Sequence, residues 1–131
     1  DPPALVHDIT LDDRITLVQA GVDSVHSSPG RTLHVYLVWE VQQPLNHDYK
    51  LFVHLADATG QPVAQWDGMP GQNTAQTSQW RPGQTHEDHV LLAIPETAAP
   101  GDYTLRVGLY DPASGERLGD RAVDVAQITV K

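Results

Sequence analysis

The sequence contains no cysteine in 131 residues, which excludes disulfides, thiolate metal sites and cysteine nucleophiles. Positive charge is also scarce: 8 Lys and Arg stand against 17 Asp and Glu, a formal net charge of −9. The few basic residues are scattered from Arg14 to Lys131 and form no stripe. Such a surface repels phosphate backbones and anionic headgroups, so neither nucleic acid nor a membrane surface is an expected partner. No apolar run approaches the ~20 residues that span a bilayer, and direct insertion of this segment is not expected. The opening Asp1-Pro2-Pro3 has neither an initiator Met nor a signal-peptide pattern, as expected of an excised or processed domain.

Motifs of catalysis are equally sparse. His86-Glu87-Asp88-His89 is not a His-Glu-x-x-His zinc helix, and on a strand its two histidines point to opposite faces. None of Ser24, Ser27, Ser28, Ser78 and Ser114 sits in a Gly-x-Ser-x-Gly elbow, and no Gly-rich phosphate loop opens a helix. Asp57-Ala58-Thr59-Gly60 lacks the repeated ligands of an EF-hand. Asp111 and Glu116 flank a turn that Asp111 is expected to cap with its own side chain, a weak calcium contact being the alternative. No catalytic residue, metal or cofactor is assigned. A small hydrolase would need two carboxylates facing across a cleft, and nothing in the sequence fixes such a pair.

What is present is alternation. Leu33, Val35, Leu37, Trp39 and Val41 share one face of a run whose other face carries His34, Tyr36, Val38 and Glu40. That period of two is a strand with one side in a core. Tyr49, Leu51, Val53 and Leu55 repeat the pattern, as do Val90, Leu92 and Ile94, then Tyr103, Leu105, Val107 and Leu109. Shorter strands are expected at 5–11, 15–22 and 62–67, the last an edge strand because it starts at Pro62. The final run slips phase between Val125 and Ile128, which predicts a bulge near Ala126-Gln127.

Ten Gly and ten Pro supply the turns between these runs. With 40% hydrophobic and 19% charged residues, the chain is globular and of one-domain length. The expected fold over residues 1–131 is an all-β sandwich, immunoglobulin-like or Greek-key, of seven to nine antiparallel strands. The polar stretch from Gly68 to Gln84 is the long loop that crosses it. Pro100-Gly101-Asp102-Tyr103 fits a tyrosine corner, the simpler alternative being an inward-pointing tyrosine.

The strands at 32–41 and 49–55 are expected to pair as a hairpin, with Trp39 opposite Leu51 and Glu40 opposite Lys50. That register places His34 near His54 on one outer face, where a surface metal contact is conceivable and solvated histidines are the commoner outcome. Trp39 belongs to the core. Trp66 and Trp80 bracket the long loop together with Asp67, Gln72, Asn73, Thr77, Gln79 and Arg81. Aromatic faces stack on sugar rings while amides and carboxylates take hydroxyls, so this composition permits carbohydrate binding. The competing role for both tryptophans is to pin the loop to the sandwich edge.

A set of ordered segments carries a family resemblance. They are Phe52-Val53-His54-Leu55, Val63-Ala64-Gln65-Trp66-Asp67-Gly68 with Pro70, Thr77-Ser78-Gln79-Trp80-Arg81-Pro82-Gly83, Pro100-Gly101-Asp102-Tyr103, Val107-Gly108-Leu109-Tyr110-Asp111-Pro112 and Gly115-Glu116-Arg117-Leu118. Together they resemble the C-terminal extracytoplasmic module of bacterial, Chloroflexi-type, family 39-like membrane glycosyltransferases. The resemblance implies an accessory β-sandwich on the non-cytoplasmic side of a membrane enzyme whose catalytic residues lie in its membrane portion. It carries over no catalytic residue. From the motif and loop residues together, the candidate ligand site is His54, Trp66, Asp67, Trp80, Arg81 and Arg117, with a glycan or a partner protein as ligand. A structural spacer is the alternative.

Overall fold

The computed structural model describes residues 6–70 and 76–131; Asp1, Pro2, Pro3, Gln72 and Asn73, named above, and the expected start of the first strand at residue 5 lie outside them. Each alternating run is a strand. In chain order these are β1 (Val6–Leu11), β2 (Ile15–Val22), β3 (His26–Ser27), β4 (Thr32–Val41), β5 (Lys50–Ala56), β6 (Pro62–Gly68), β7 (Thr85–Ala93), β8 (Gly101–Tyr110) and β9 (Val123–Val130). They form a four-stranded sheet in the order β1-β2-β4-β7 and a five-stranded sheet in the order β3-β9-β8-β5-β6. All pairings are antiparallel except β3 with β9. Strand β7 returns to lie beside β4 after the chain has built β5 and β6 in the other sheet, which is the Greek-key crossing.

The alternation decides what fills the interior. Leu33, Val35, Leu37, Trp39 and Val41 from β4 face Leu51, Val53, Leu105, Val107 and Leu109 from the other sheet in one continuous core. Trp39 is fully buried at its centre. Stacked sheets of this kind expel water from both inner faces, and that burial is the main stabilising term. Pro62 opens β6, which is indeed the edge strand. The phase slip in β9 is also real: Leu105 pairs with Ala126 but Arg106 with Asp124, leaving Val125 as the extra residue. That places the bulge one residue earlier than the sequence suggests.

The hairpin expected between 32–41 and 49–55 does not form. Strand β4 pairs with β2 and β7, whereas β5 pairs with β6 and β8 in the opposite sheet. Alternation requires only that each strand own one core face, and two strands facing across a core satisfy it as well as two side by side. The connection decides between the two arrangements. The backbone N–H groups of Gln42 and Gln43 donate to the Arg14 carbonyl at 2.8 and 3.0 Å, and the Arg14 guanidinium donates to the Pro44 carbonyl at 2.7 Å. With Leu45 buried as a plug, the chain bends over the end of the sandwich. Trp39 therefore does not oppose Leu51, nor Glu40 Lys50, and His34 and His54 lie on opposite outer faces.

Tyr103 settles the corner. It stands near the start of β8, buried, and its hydroxyl donates to the Ala99 carbonyl four residues upstream at 2.6 Å. This is the tyrosine corner, tying the β7–β8 crossing to the core. Tyr103→Phe keeps the ring and removes the bond, so it is expected to cost about 1 kcal/mol. Urea unfolding should show a lower midpoint with an unchanged slope.

Candidate functional site

The outer face of the five-stranded sheet breaks the polar-out rule. Phe52 occupies an outward position on β5, between inward Leu51 and Val53, yet is only 3% exposed. Two neighbours explain this. Its partner on β8 is Gly108, where a Cβ would stand 2.5 Å from the Phe52 ring, so the ring lies flat over bare backbone. From above, the Arg117 guanidinium covers the ring at 4.8 Å from its centroid, a cation–π contact.

Around this covered ring the sheet and one hairpin build a cup of about 250 Å³, lined by Phe52, His54, Asp67, Tyr110, Gly115 and Arg117. His54 comes from β5, Asp67 from β6 opposite Phe52, and Tyr110 from the end of β8. Gly115 and Arg117 come from the turn that follows. That turn is held by Asp111, whose carboxylate accepts the Ala113 N–H at 2.9 Å. Asp111 thus caps the turn, as the sequence suggests, and Arg117 bridges back to Tyr110. The His54 and Tyr110 rings flank Phe52 at centroid distances of 4.9 and 6.2 Å.

Burial sets the protonation of the cup. Desolvation lowers the His54 pKa, which Asp67 partly offsets and Arg117 and Arg106 reinforce. Desolvation, and then the Asp67 charge, push the Tyr110 hydroxyl up. Near neutral pH the cup therefore presents a neutral imidazole and a phenol donor beside the Asp67 and Arg117 side chains. His86, on β7, is also lowered by burial, with Asp88 opposing. Groups lowered in the folded state take up their protons mainly on unfolding, so stability is full above the unfolded histidine value and falls as pH drops through the folded ones. Equilibrium unfolding between pH 7 and 5 should show that loss, and His54→Gln and His86→Gln should each flatten the slope.

The candidate residues divide. His54, Asp67 and Arg117 meet in the cup. Trp66 does not join them: it pairs with inward-facing Val53 and packs, half-buried, against the core. Trp80 is 4% exposed, its ring stacked on His86 at 3.8 Å with an interplanar angle of 6°. Arg81 is exposed beside it and lines a separate depression with Pro44, Ser78 and Pro82. The two tryptophans thus border the core, and Trp80 anchors the end of the long loop.

Phe52, Tyr110 and Gly115 complete the cup but were not chosen from the sequence. A signal was there: Phe52 is an aromatic at an outward position in an otherwise alternating strand, as is Tyr110. Among the described residues no three His, Asp or Glu side chains converge as a metal site, and no helix is long and apolar enough to cross a membrane.

The two sheets, the Greek-key crossing and the tyrosine corner define an immunoglobulin-like β-sandwich. Its backbone is similar to the crystal structure of a Niemann-Pick type C2 protein from Japanese carpenter ant, with a TM-score of 0.63 and 8% identity, covering 95% of this chain and 98% of that one. At that identity the likeness shows the fold alone. No family model and no curated protein matches the chain.

Proposed function

We propose that this chain is a non-catalytic accessory domain of an extracytoplasmic, membrane-attached protein, and that the cup on its five-stranded sheet binds a glycan. The observation that carries this reading is a coincidence of two independent patterns. All the residues lining the cup fall within the segments that resemble the glycosyltransferase-associated module: Phe52 and His54 in one, Asp67 in the next, Tyr110, then Gly115 and Arg117. Segments scattered over 66 positions, from 52 to 117, come together on one outer face.

The chemistry suits a sugar. The Tyr110 and His54 rings flank the covered Phe52 ring, and beside them Asp67 accepts from hydroxyls and Arg117 donates to ring or hydroxyl oxygens. The membrane-enzyme context rests on the resemblance, and in it the domain would hold a glycan near a catalytic portion elsewhere in the protein. A glycan array probed with the wild-type domain and with Asp67→Asn and Arg117→Ala tests the proposal. Binding by the wild type that both variants lose, while their unfolding midpoints stay close to wild type, is the expected result. No bound glycan, or binding that survives both changes, leaves the structural-spacer reading, which the burial of Trp80 favours for the long loop.

A further inference from the structure

The outer face of the other sheet carries a second cluster, unrelated to the cup. Strands β4 and β7 pair with Tyr36 opposite His89 and His34 opposite Leu91, so His34 and His89 are diagonal neighbours on one outer face. Their rings converge: His34 Nδ1 lies 2.8 Å from His89 Nε2, one nitrogen donating and the other accepting. The His89 ring is held by stacking on Tyr36, with centroids 4.5 Å apart and planes at 17°. The Asp23 carboxylate anchors the His34 backbone N–H at 3.0 Å. Both imidazoles sit on paired strands of a rigid sheet, not on a loop.

We propose that His34 and His89 form a two-imidazole site for a late first-row divalent metal ion, copper(II) or nickel(II), with water in the remaining positions. Metal–imidazole bonds of about 2.0–2.1 Å place two nitrogens about 2.9 Å apart at a right angle and about 3.3 Å apart at a tetrahedral angle. The observed 2.8 Å, held here by the N–H···N bond between the rings, lies near the first, so the two nitrogens need to separate little to take a metal between them. Adjacent positions of a tetragonal site suit copper(II) and nickel(II), and imidazole is an appropriate ligand for both. Coordination at these two nitrogens requires the donating ring to carry its hydrogen on its other nitrogen, a tautomer change with no net proton release. Tyr36 acts as a positioning residue by limiting the orientations of the His89 ring.

Calorimetric titration of the domain with copper(II) and with nickel(II) tests this. One saturable site is expected, stronger for copper, abolished by His34→Gln and by His89→Gln and retained in His26→Gln. Both substituted side chains lie on the sheet surface, and circular dichroism checks that the fold persists. An independent readout needs no variant: the electron paramagnetic resonance spectrum of the one-to-one copper complex should be tetragonal with coupling to two imidazole nitrogens. Absence of a saturable site, a spectrum without two coupled imidazoles, or equal binding by the His89→Gln protein would overturn the assignment.

Discussion

Trp80→Ala is expected to lower stability by about 3–5 kcal/mol, the range for truncating a large buried aromatic, while leaving binding at the cup intact. Trp80 closes one end of the sandwich, just after the short 3-10 turn Thr77–Gln79. One ring face lies on His86 and the rest is packed into the core, with the indole N–H finding no hydrogen-bond partner among the described residues. Its hold on the chain is therefore apolar contact and stacking. The turn before it is fastened separately: the buried Thr77 hydroxyl donates to the His47 carbonyl at 2.6 Å and accepts the Tyr49 N–H at 2.8 Å. Asp48 takes both the backbone N–H and the hydroxyl of Ser78, which lowers its pKa. Removing the indole opens a cavity beneath a loop whose polar ties remain, so the loss should appear as a large drop in the urea midpoint. A small stability change together with loss of ligand would instead make Trp80 a recognition residue.

Gly108→Ala is the second large effect, and it links fold to site. The added methyl would stand 2.5 and 2.6 Å from two atoms of the Phe52 ring, closer than carbon atoms can approach. The backbone around it is fixed on both sides, by β5 at Phe52 and by β9 at the neighbouring Val107. The ring must therefore lift away from the sheet. Displacing it exposes an aromatic now almost fully covered and breaks its contact with Arg117, together costing about 1.5–3 kcal/mol. The cup would lose its floor and the Arg117 guanidinium its seat, so ligand binding should fall with stability. Arg117→Ala should remove binding at a smaller cost to the fold than Gly108→Ala: about 0.5–1 kcal/mol for the cation–π contact, plus the part of the Phe52 ring that it uncovers.

The core strands were legible because burial writes a period of two into β4, β5, β7 and β8, and the tyrosine corner and the β9 slip could be read from single residues. Pairing was not legible in the same way. The core-facing residues Leu37 and Val53 suit adjacent strands and opposing strands equally well, and the choice rests on the ties of Gln42, Gln43 and Pro44 to Arg14, contacts between residues about 30 positions apart in the chain. The wrong hairpin also misplaced the histidines. His34 finds its partner in His89, 55 residues away, and not in His54.

The candidate site was half legible. His54, Asp67 and Arg117 stood out through their motif segments, but local composition drew both tryptophans into the same set because a polar loop lay between them. Burial separated them. Conversely, the alternation puts Phe52 outward, and only the absence of a side chain at Gly108 shows how an aromatic there can be covered.

The claim on which the functional account depends is that the outer face of the five-stranded sheet is where this domain meets a sugar. Two-dimensional amide NMR of the wild-type domain, titrated with the strongest array ligand, tests it most directly. Shifts concentrated at Phe52, His54, Asp67, Gly108, Tyr110, Gly115 and Arg117 are the predicted result. Shifts clustered instead around Trp80 and Arg81, or a spectrum that no glycan perturbs, would contradict it.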